Sequence, residues 1–120
     1  MATTDDIRRL VMTFPEVQET SHFRFHVPIW KVRGKTFLGM GKDETTAVFC
    51  VGEQEAADAV AADPASYAAL RRPDARRSFL GLQAELGSIS WERIAELAVK
   101  AWRNQAPRRL AAEHNLGTSA

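Results

Sequence analysis

The sequence predicts a small α+β domain, an antiparallel β-sheet with helices packed on one face. The stretch from Val27 to Met40 has bulky and β-branched residues on both sides of a glycine-containing turn, which is typical of a β-hairpin. After Gly52 the hydrophobic pattern changes from the period of a strand to that of a helix. Residues 78–86 then alternate between apolar and polar, which predicts one more half-buried strand.

The predicted hairpin has a definite register. If Arg33–Gly34 forms the turn, Trp30 lies opposite Phe37 and Ile29 opposite Leu38. Trp30 and Phe37 then share a buried face, and the solvent side and tip carry cations. This makes the hairpin a rigid arm with a positive end, formed by Lys31, Arg33 and Lys35.

The other elements follow from capping residues and periodicity. Thr3 and Asp6 have the spacing of a capping box before an amphipathic helix that Pro15 ends. Ser90 is a good N-cap for the last major helix, and Pro107 suits the start of a short terminal one. We further expect strands over Thr20–Phe25 and Thr46–Val51, a helix over Glu53–Ala62, a helical turn over Tyr67–Leu70 and an exposed loop over Arg71–Arg77. In the strand over Ser78–Leu86, we expect Leu80, Leu82, Ala84 and Leu86 on one face and Phe79, Gly81, Gln83 and Glu85 on the other.

Size and composition indicate one folded domain over residues 1–116, with a frayed tail at 117–120. The chain has 120 residues, of which 45% are hydrophobic and 26% charged, so wholesale disorder is not expected. No apolar run is long enough for a membrane helix, and the acidic first turn does not resemble a signal peptide. Cys50 is the single cysteine, which fits a reducing compartment. We therefore expect a cytoplasmic protein with no membrane contact.

Charge is distributed unevenly along the chain. Residues 1–62 hold seven Lys/Arg and nine Asp/Glu, whereas residues 63–120 hold nine and six. The net charge of +1 is far from that of a dedicated nucleic-acid binder, but the second half can serve an anionic partner. Its arginines occur as the pairs Arg71–Arg72, Arg76–Arg77 and Arg108–Arg109.

Catalytic and metal-binding motifs are absent from the sequence. There is no phosphate-binding glycine loop, dinucleotide fingerprint, nucleophile elbow or zinc motif, so we expect no catalytic residues and no cofactor. His22 and His26 lie in an extended segment without a third ligand, and we predict no metal site. Cys50 lies between Phe49 and Val51 and is interpreted as a small core residue.

Several short motifs, in order, resemble the MmcQ/YjbR-like family of small bacterial proteins. The resemblance covers about Phe14 to Leu110. It is carried by Phe14-Pro15-Glu16-Val17 with Glu19 and His22-Phe23, by Val32-Arg33-Gly34-Lys35-Thr36-Phe37, by Ala61-Ala62-Asp63-Pro64, and by Ala101-Trp102-Arg103-Asn104 with Ala106-Pro107-Arg108-Arg109-Leu110. It implies an α+β fold of the frataxin-like, double-wing type, in which β-hairpins project as wings. It also implies DNA binding, a label that rests largely on the analogy of shape.

Each candidate DNA contact has an alternative interpretation. The arginines of the 71–77 loop either clamp phosphates or form a solvated loop paired with carboxylates such as that of Asp74. The hairpin cations either form a wing or protect the strand from association. Phe79 either stacks on a base or packs beneath a helix. The candidate DNA-binding residues are Lys31, Arg33, Lys35, Arg71, Arg72, Arg76, Arg77, Phe79, Arg108 and Arg109.

The resulting hypothesis is a non-enzymatic protein that binds double-stranded DNA weakly and without sequence preference, through phosphate contacts. The alternative is a protein-interaction or small-ligand module that uses the sheet face around Phe79, Gly81 and Gln83 and has no nucleic-acid role.

Overall fold

The structure, a computed structural model, describes residues 2–22, 24–74 and 76–114, so the expected tail at 117–120 lies outside the described residues. The helices are α1 (Thr4–Val11), α2 (Glu53–Ala62), α3 (Trp91–Gln105) and α4 (Arg108–Glu113). The strands are β1 (Val17–Ser21), β2 (Pro28–Val32), β3 (Lys35–Met40), β4 (Thr46–Phe49), β5 (Tyr67–Arg71) and β6 (Phe79–Glu85).

The strands form one antiparallel sheet in the order β1-β2-β3-β4-β6-β5. One row of neighbouring residues across the sheet, Trp30, Leu38, Phe49 and Leu82, is fully buried. The adjacent row contains half-buried Ile29, Val48 and Gln83. Because alternate residues of a strand face opposite sides, only one face of the sheet is covered. On that face α3 packs on β3 and β4, and α2 packs on β5 and β6. The predicted α+β class is confirmed.

The predicted helix starts are confirmed in detail. The Thr3 hydroxyl accepts the Asp6 N–H, and the Asp6 carboxylate accepts the Thr3 N–H, which completes the capping box of α1. These bonds lower the pKa of the Asp6 carboxyl below its ordinary value. Ser90 accepts the Arg93 N–H at the start of α3.

The central hairpin has the predicted turn but a different register. Arg33 and Gly34 both have positive φ, 47° and 83°, as a two-residue turn of type I′ requires. Trp30 lies opposite Leu38, and not opposite Phe37, because a bulge lies between the Trp30–Leu38 pair and the Lys31–Thr36 pair. The bulge places one extra residue in β3, so Phe37 and Leu38 are both fully buried.

The first strand lies earlier in the chain than predicted. It begins at Val17, three residues before the predicted start at Thr20, and ends at Ser21 rather than near Phe25. The His22 N–H donates to the Val27 carbonyl and starts the turn into β2. Pairing with β2, which the local sequence does not reveal, determines both ends of β1.

The prediction of a helical turn at Tyr67–Leu70 is wrong, because this segment pairs with β6 as strand β5. The predicted faces of the first two residues of β6, Phe79 and Leu80, are also wrong. Leu70 lies opposite Gly81 and Arg71 opposite Phe79, so Leu80 is an extra residue in a bulge. As a result Leu80 is 44% exposed, whereas Phe79 is half-buried against the core.

We expect Gly81→Ala to destabilise the domain. A Cβ at this position would lie 2.8 Å from Cγ1 of Val48 and 3.0 Å from the Phe49 carbonyl oxygen, so the two strands would have to move. The free energy of unfolding should fall by about 1–3 kcal/mol, as for other overpacked sites. Urea denaturation measures it, with Leu80→Ala as the exposed control in the same strand. Equal stability of the two variants would contradict the proposed close contact.

Candidate nucleic-acid interface

Two hairpin connections lie at the same end of the sheet. The Arg33–Gly34 turn joins β2 to β3, and residues 72–78 join β5 to β6. Each neighbouring pair of strands is antiparallel, so β2, β4 and β5 run in one direction and end together. Segments that are far apart in the sequence therefore meet at this end.

The end of α3 lies at the same place. Its Asn104 side chain donates to the Cys50 carbonyl at 2.9 Å, just after β4 ends. Gln105 donates to the Thr36 carbonyl at 2.9 Å, close to the start of β3. The first turn of α4 follows directly. We call this surface the basic end; its predicted cations are Arg33, Lys35, Arg71, Arg72, Arg76, Arg77, Arg108 and Arg109.

The hairpin tip contributes two exposed cations, Arg33 and Lys35, of which Arg33 is paired with a carboxylate. Arg33 donates two hydrogen bonds of 2.9 Å to the Glu16 carboxylate, and this pairing lowers the pKa of Glu16 and raises that of Arg33. Lys35 is exposed beside a recess of about 300 Å³ that reaches Pro107. Lys31 lies on β2, farther from the hairpin tip than Arg33, and is half-buried. Lys35 is therefore the hairpin cation best placed to contact an anion.

The 72–78 loop is held in shape by Asp74 and Arg71. One carboxylate oxygen of Asp74 accepts the N–H groups of Arg76 and Arg77 at 3.1 and 3.0 Å. The Arg71 guanidinium pairs with Glu53 at the start of α2 and donates to the Arg77 carbonyl. These contacts order the loop, as the interpretation with carboxylate partners predicts for Arg71.

Three arginines of this loop remain available. Arg72, Arg76 and Arg77 are exposed, and their guanidinium groups have no hydrogen bond or ion pair with the described residues. The carboxylate of Asp74 is directed to backbone N–H groups and not to these side chains. Asp74 therefore fixes the backbone of Arg76 and Arg77, while their guanidinium groups have no partner among the described residues.

Phe79 lies beneath Arg71, whose guanidinium carbon is 5.8 Å from the centre of the ring. The ring also packs against the core, so the structure shows the packing arrangement. The bulge at Leu80 turns Phe79 to the helix side, which strict alternation in the sequence does not predict.

Arg108 and Arg109 occupy the first turn of α4 and are exposed, whereas the next residue, Leu110, is buried. The helix dipole disfavours cations at an N-terminus, so it does not account for their position. Leu110 anchors the turn that presents them.

Comparison with known proteins identifies the family. A family model described as YjbR matches residues 12–104. The chain belongs to the YjbR family. The crystal structure of the Deinococcus radiodurans protein DR2400, whose domain is described as DUF419, is similar to it with a TM-score of 0.71 and 20% identity. The alignment covers 86% of this chain and 78% of DR2400 and shows that the two share a fold. No curated protein matches the chain.

A concavity larger than the recess beside Lys35 lies away from the basic end of this YjbR-family protein. It is a groove of about 770 Å³ between α1 and the segment before α3, lined by Ala2, Asp6, Arg9, Leu10, Thr13, Ile89 and Trp91. Over the described ranges, no three His, Cys, Asp or Glu side chains converge in a way that would hold a metal ion. Within those same ranges, no helix combines the length and the apolar character that a membrane crossing needs.

Cys50 lies directly after β4, half-buried beneath the end of α3. Burial raises the pKa of its thiol to about 11. The thiolate, which is the nucleophilic form, is therefore scarce at neutral pH.

We expect Cys50 to react slowly with iodoacetamide at pH 8. With a pKa of about 11, its thiolate population is about a hundredth of that of an ordinary cysteine. Alkylation measured by mass spectrometry should be at least about tenfold slower in the native protein than in guanidinium chloride, because burial is lost on unfolding. Similar rates in the two solvents would contradict the burial of the thiol.

Proposed function

We propose that this YjbR-family protein is a cytoplasmic, non-enzymatic protein that binds double-stranded DNA through its basic end. One observation carries the proposal: the antiparallel order of the strands brings both hairpin connections and the start of α4 to one end of the sheet. The cations of three separate segments then face one partner. Such a surface suits the phosphate backbone, which has closely spaced negative charges.

The cations of the basic end divide into two groups. Arg33 and Arg71 are paired with Glu16 and Glu53, and we assign them to holding the hairpin tip and the loop in place. The second group consists of the exposed cations that have no ion pair with the described residues, and it provides the proposed phosphate contacts: Lys35, Arg72, Arg76, Arg77, Arg108 and Arg109. Guanidinium groups suit this role because they donate paired hydrogen bonds to phosphate oxygens.

The spacing of the two hairpins also suits a duplex. The β2–β3 pair and the β6–β5 pair are separated by three strand intervals, and hence by about 14 Å at about 4.8 Å per interval. The major groove of B-DNA is about 12 Å wide. The two tips can therefore contact phosphates on the two sides of one groove.

Base readout is not part of the proposal. Helix α3 lies against β3 and β4, and the exposed cations sit on a turn, a loop and the six-residue α4. A helix inserted into the major groove is the usual means of direct readout. We expect binding that is modest, strongly dependent on salt and similar for different sequences.

The test is fluorescence anisotropy of a labelled mixed-sequence duplex at about 50 and about 200 mM salt, the range in which phosphate contacts are visible. The variant Arg76→Gln/Arg77→Gln should reduce the log–log salt slope by about 2, since each phosphate contact contributes about 0.9. The charge-matched control Arg9→Gln/Lys42→Gln changes exposed cations away from the basic end and should bind as the unmodified protein does.

Two outcomes contradict the proposal. One is the absence of binding at about 50 mM salt, where backbone contacts are strongest. The other is an equal loss of affinity in the two double variants, which would show that total charge, and not the basic end, governs binding. The first result would favour the alternative of a protein-interaction or small-ligand module.

A further inference from the structure

Strand β5 is an edge of the sheet with free hydrogen-bonding groups. The Glu85 N–H donates to the Ser66 carbonyl, and the Arg72 N–H donates to the Ser78 carbonyl. In an antiparallel ladder, alternate residues bond to the neighbouring strand, so Ala68 and Leu70 bond to β6. The N–H and C=O groups of the residues between them, including Ala69, are directed to the outside.

The hydrogen bonds at this edge have a particular pattern. Of the outward groups, the Tyr67 N–H is already bonded to the Asp63 carbonyl. The Tyr67 C=O, both groups of Ala69 and the Arg71 N–H have no partner among the described residues. The edge can therefore accept one more antiparallel strand centred on Ala69.

We propose that the partner is a second copy of this chain, whose β5 pairs with β5 about a two-fold axis through Ala69. In this arrangement each Ala69 N–H donates to the Ala69 carbonyl of the other copy. Each Arg71 N–H donates to the opposite Tyr67 carbonyl. These four donors and acceptors of each copy are then satisfied. The Tyr67 N–H keeps its bond to the Asp63 carbonyl, so the outward Arg71 C=O is the one group that the new ladder leaves without a partner.

Small side chains leave the edge accessible. Ala68 and Ala69 are exposed, so neither α2 nor a loop covers β5. On α2, Glu55 pairs with Lys100 of α3, so the opposite side of the helix faces away from α3. That side carries the exposed Ala57 and Ala61. A second copy can approach without a steric clash from long side chains.

Charge complementarity selects the same register. With Ala69 at the axis, Arg72 lies opposite Ser66 of the second copy, and Glu85 is the neighbour of Ser66 within that copy. By the alternation of the strands, Arg72 and Glu85 occupy the uncovered face, about 10 Å apart across two strand intervals. Both side chains are exposed, and within the described ranges neither has an ion-pair partner.

A recess lies beside Ser66 and Glu85, where Arg72 of the second copy would be placed. It has a volume of about 110 Å³ and is lined by Pro64, Ala65, Ser66, Tyr67, Ala68, Gln83 and Glu85. Two-fold pairing brings the Arg72 side chain of the second copy to it, with the Glu85 carboxylate at its rim. The surface is thus complementary to itself in hydrogen bonds, shape and charge, as a two-fold interface requires.

The test is sedimentation equilibrium of the full chain, without nucleic acid, from about 10 to about 500 µM, because pairing of two short strands gives a small and weak interface. We expect a concentration-dependent dimer. Ala69→Pro should be monomeric with unchanged thermal stability, since this N–H faces solvent and not β6. A monomer over the whole range, or a dimer that Ala69→Pro does not weaken, would overturn the inference.

A charge exchange provides an independent test that does not depend on proline. Arg72→Glu should weaken the dimer by about tenfold or more, because it places carboxylates opposite each other. Arg72→Glu/Glu85→Arg should restore it, and Arg76→Glu serves as the control at a neighbouring arginine. Failure of the double exchange to recover the dimer would overturn the proposed register. These measurements involve no DNA, so their outcome is independent of the proposed function.

Discussion

The last turn of α3 fixes three separate segments to one another. Trp102 is fully buried, and its indole N–H donates to the Pro15 carbonyl at 3.0 Å, while Asn104 and Gln105 donate to the carbonyls of Cys50 and Thr36. Backbone carbonyls at the ends of strands lack ladder partners, and leaving them unsatisfied in a partly buried site is costly. These bonds join the chain before β1, the start of β3 and the end of β4 at one place. The basic end depends on them, because they determine where the hairpin tip and α4 lie.

A net charge of +1 conceals a separation of charge along the sheet. At the end opposite the basic end, the first turn of α1 carries Asp5 and Asp6, and the Thr4 hydroxyl donates at 2.7 Å to Glu44 in the β3–β4 turn. The acidic residues there are held by the same kind of local bonds that order the basic loop. Such a distribution orients a protein before contact, even when its total charge is small. The net charge is therefore a poor guide to the partners of this fold.

Local signals in the sequence are sufficient to predict some of the secondary-structure elements but not others. The capping box at Thr3 and the turn at Arg33–Gly34 depend on neighbouring residues, and both are present as predicted. The alanine-rich segment of β5 has weak strand propensity and is extended only because β6 pairs with it. The bulge at Leu80 likewise arises from pairing and reverses the face of Phe79. The candidate arginines could be named from the sequence, but their gathering at one end follows from strand order, which no local pattern contains.

DNA binding through the basic end is tested most directly by an NMR titration of the ¹⁵N-labelled protein with a short DNA duplex at low salt. We expect the largest amide shifts at Lys35, Arg76, Arg77 and Arg109, with little change in the groove between α1 and the segment before α3. Those residues lie on three segments, so shared saturation at one DNA concentration would show that they contact a single ligand. Shifts centred on that groove or on the uncovered sheet face, or no shifts at all, would contradict the assignment of the basic end as the DNA-binding surface.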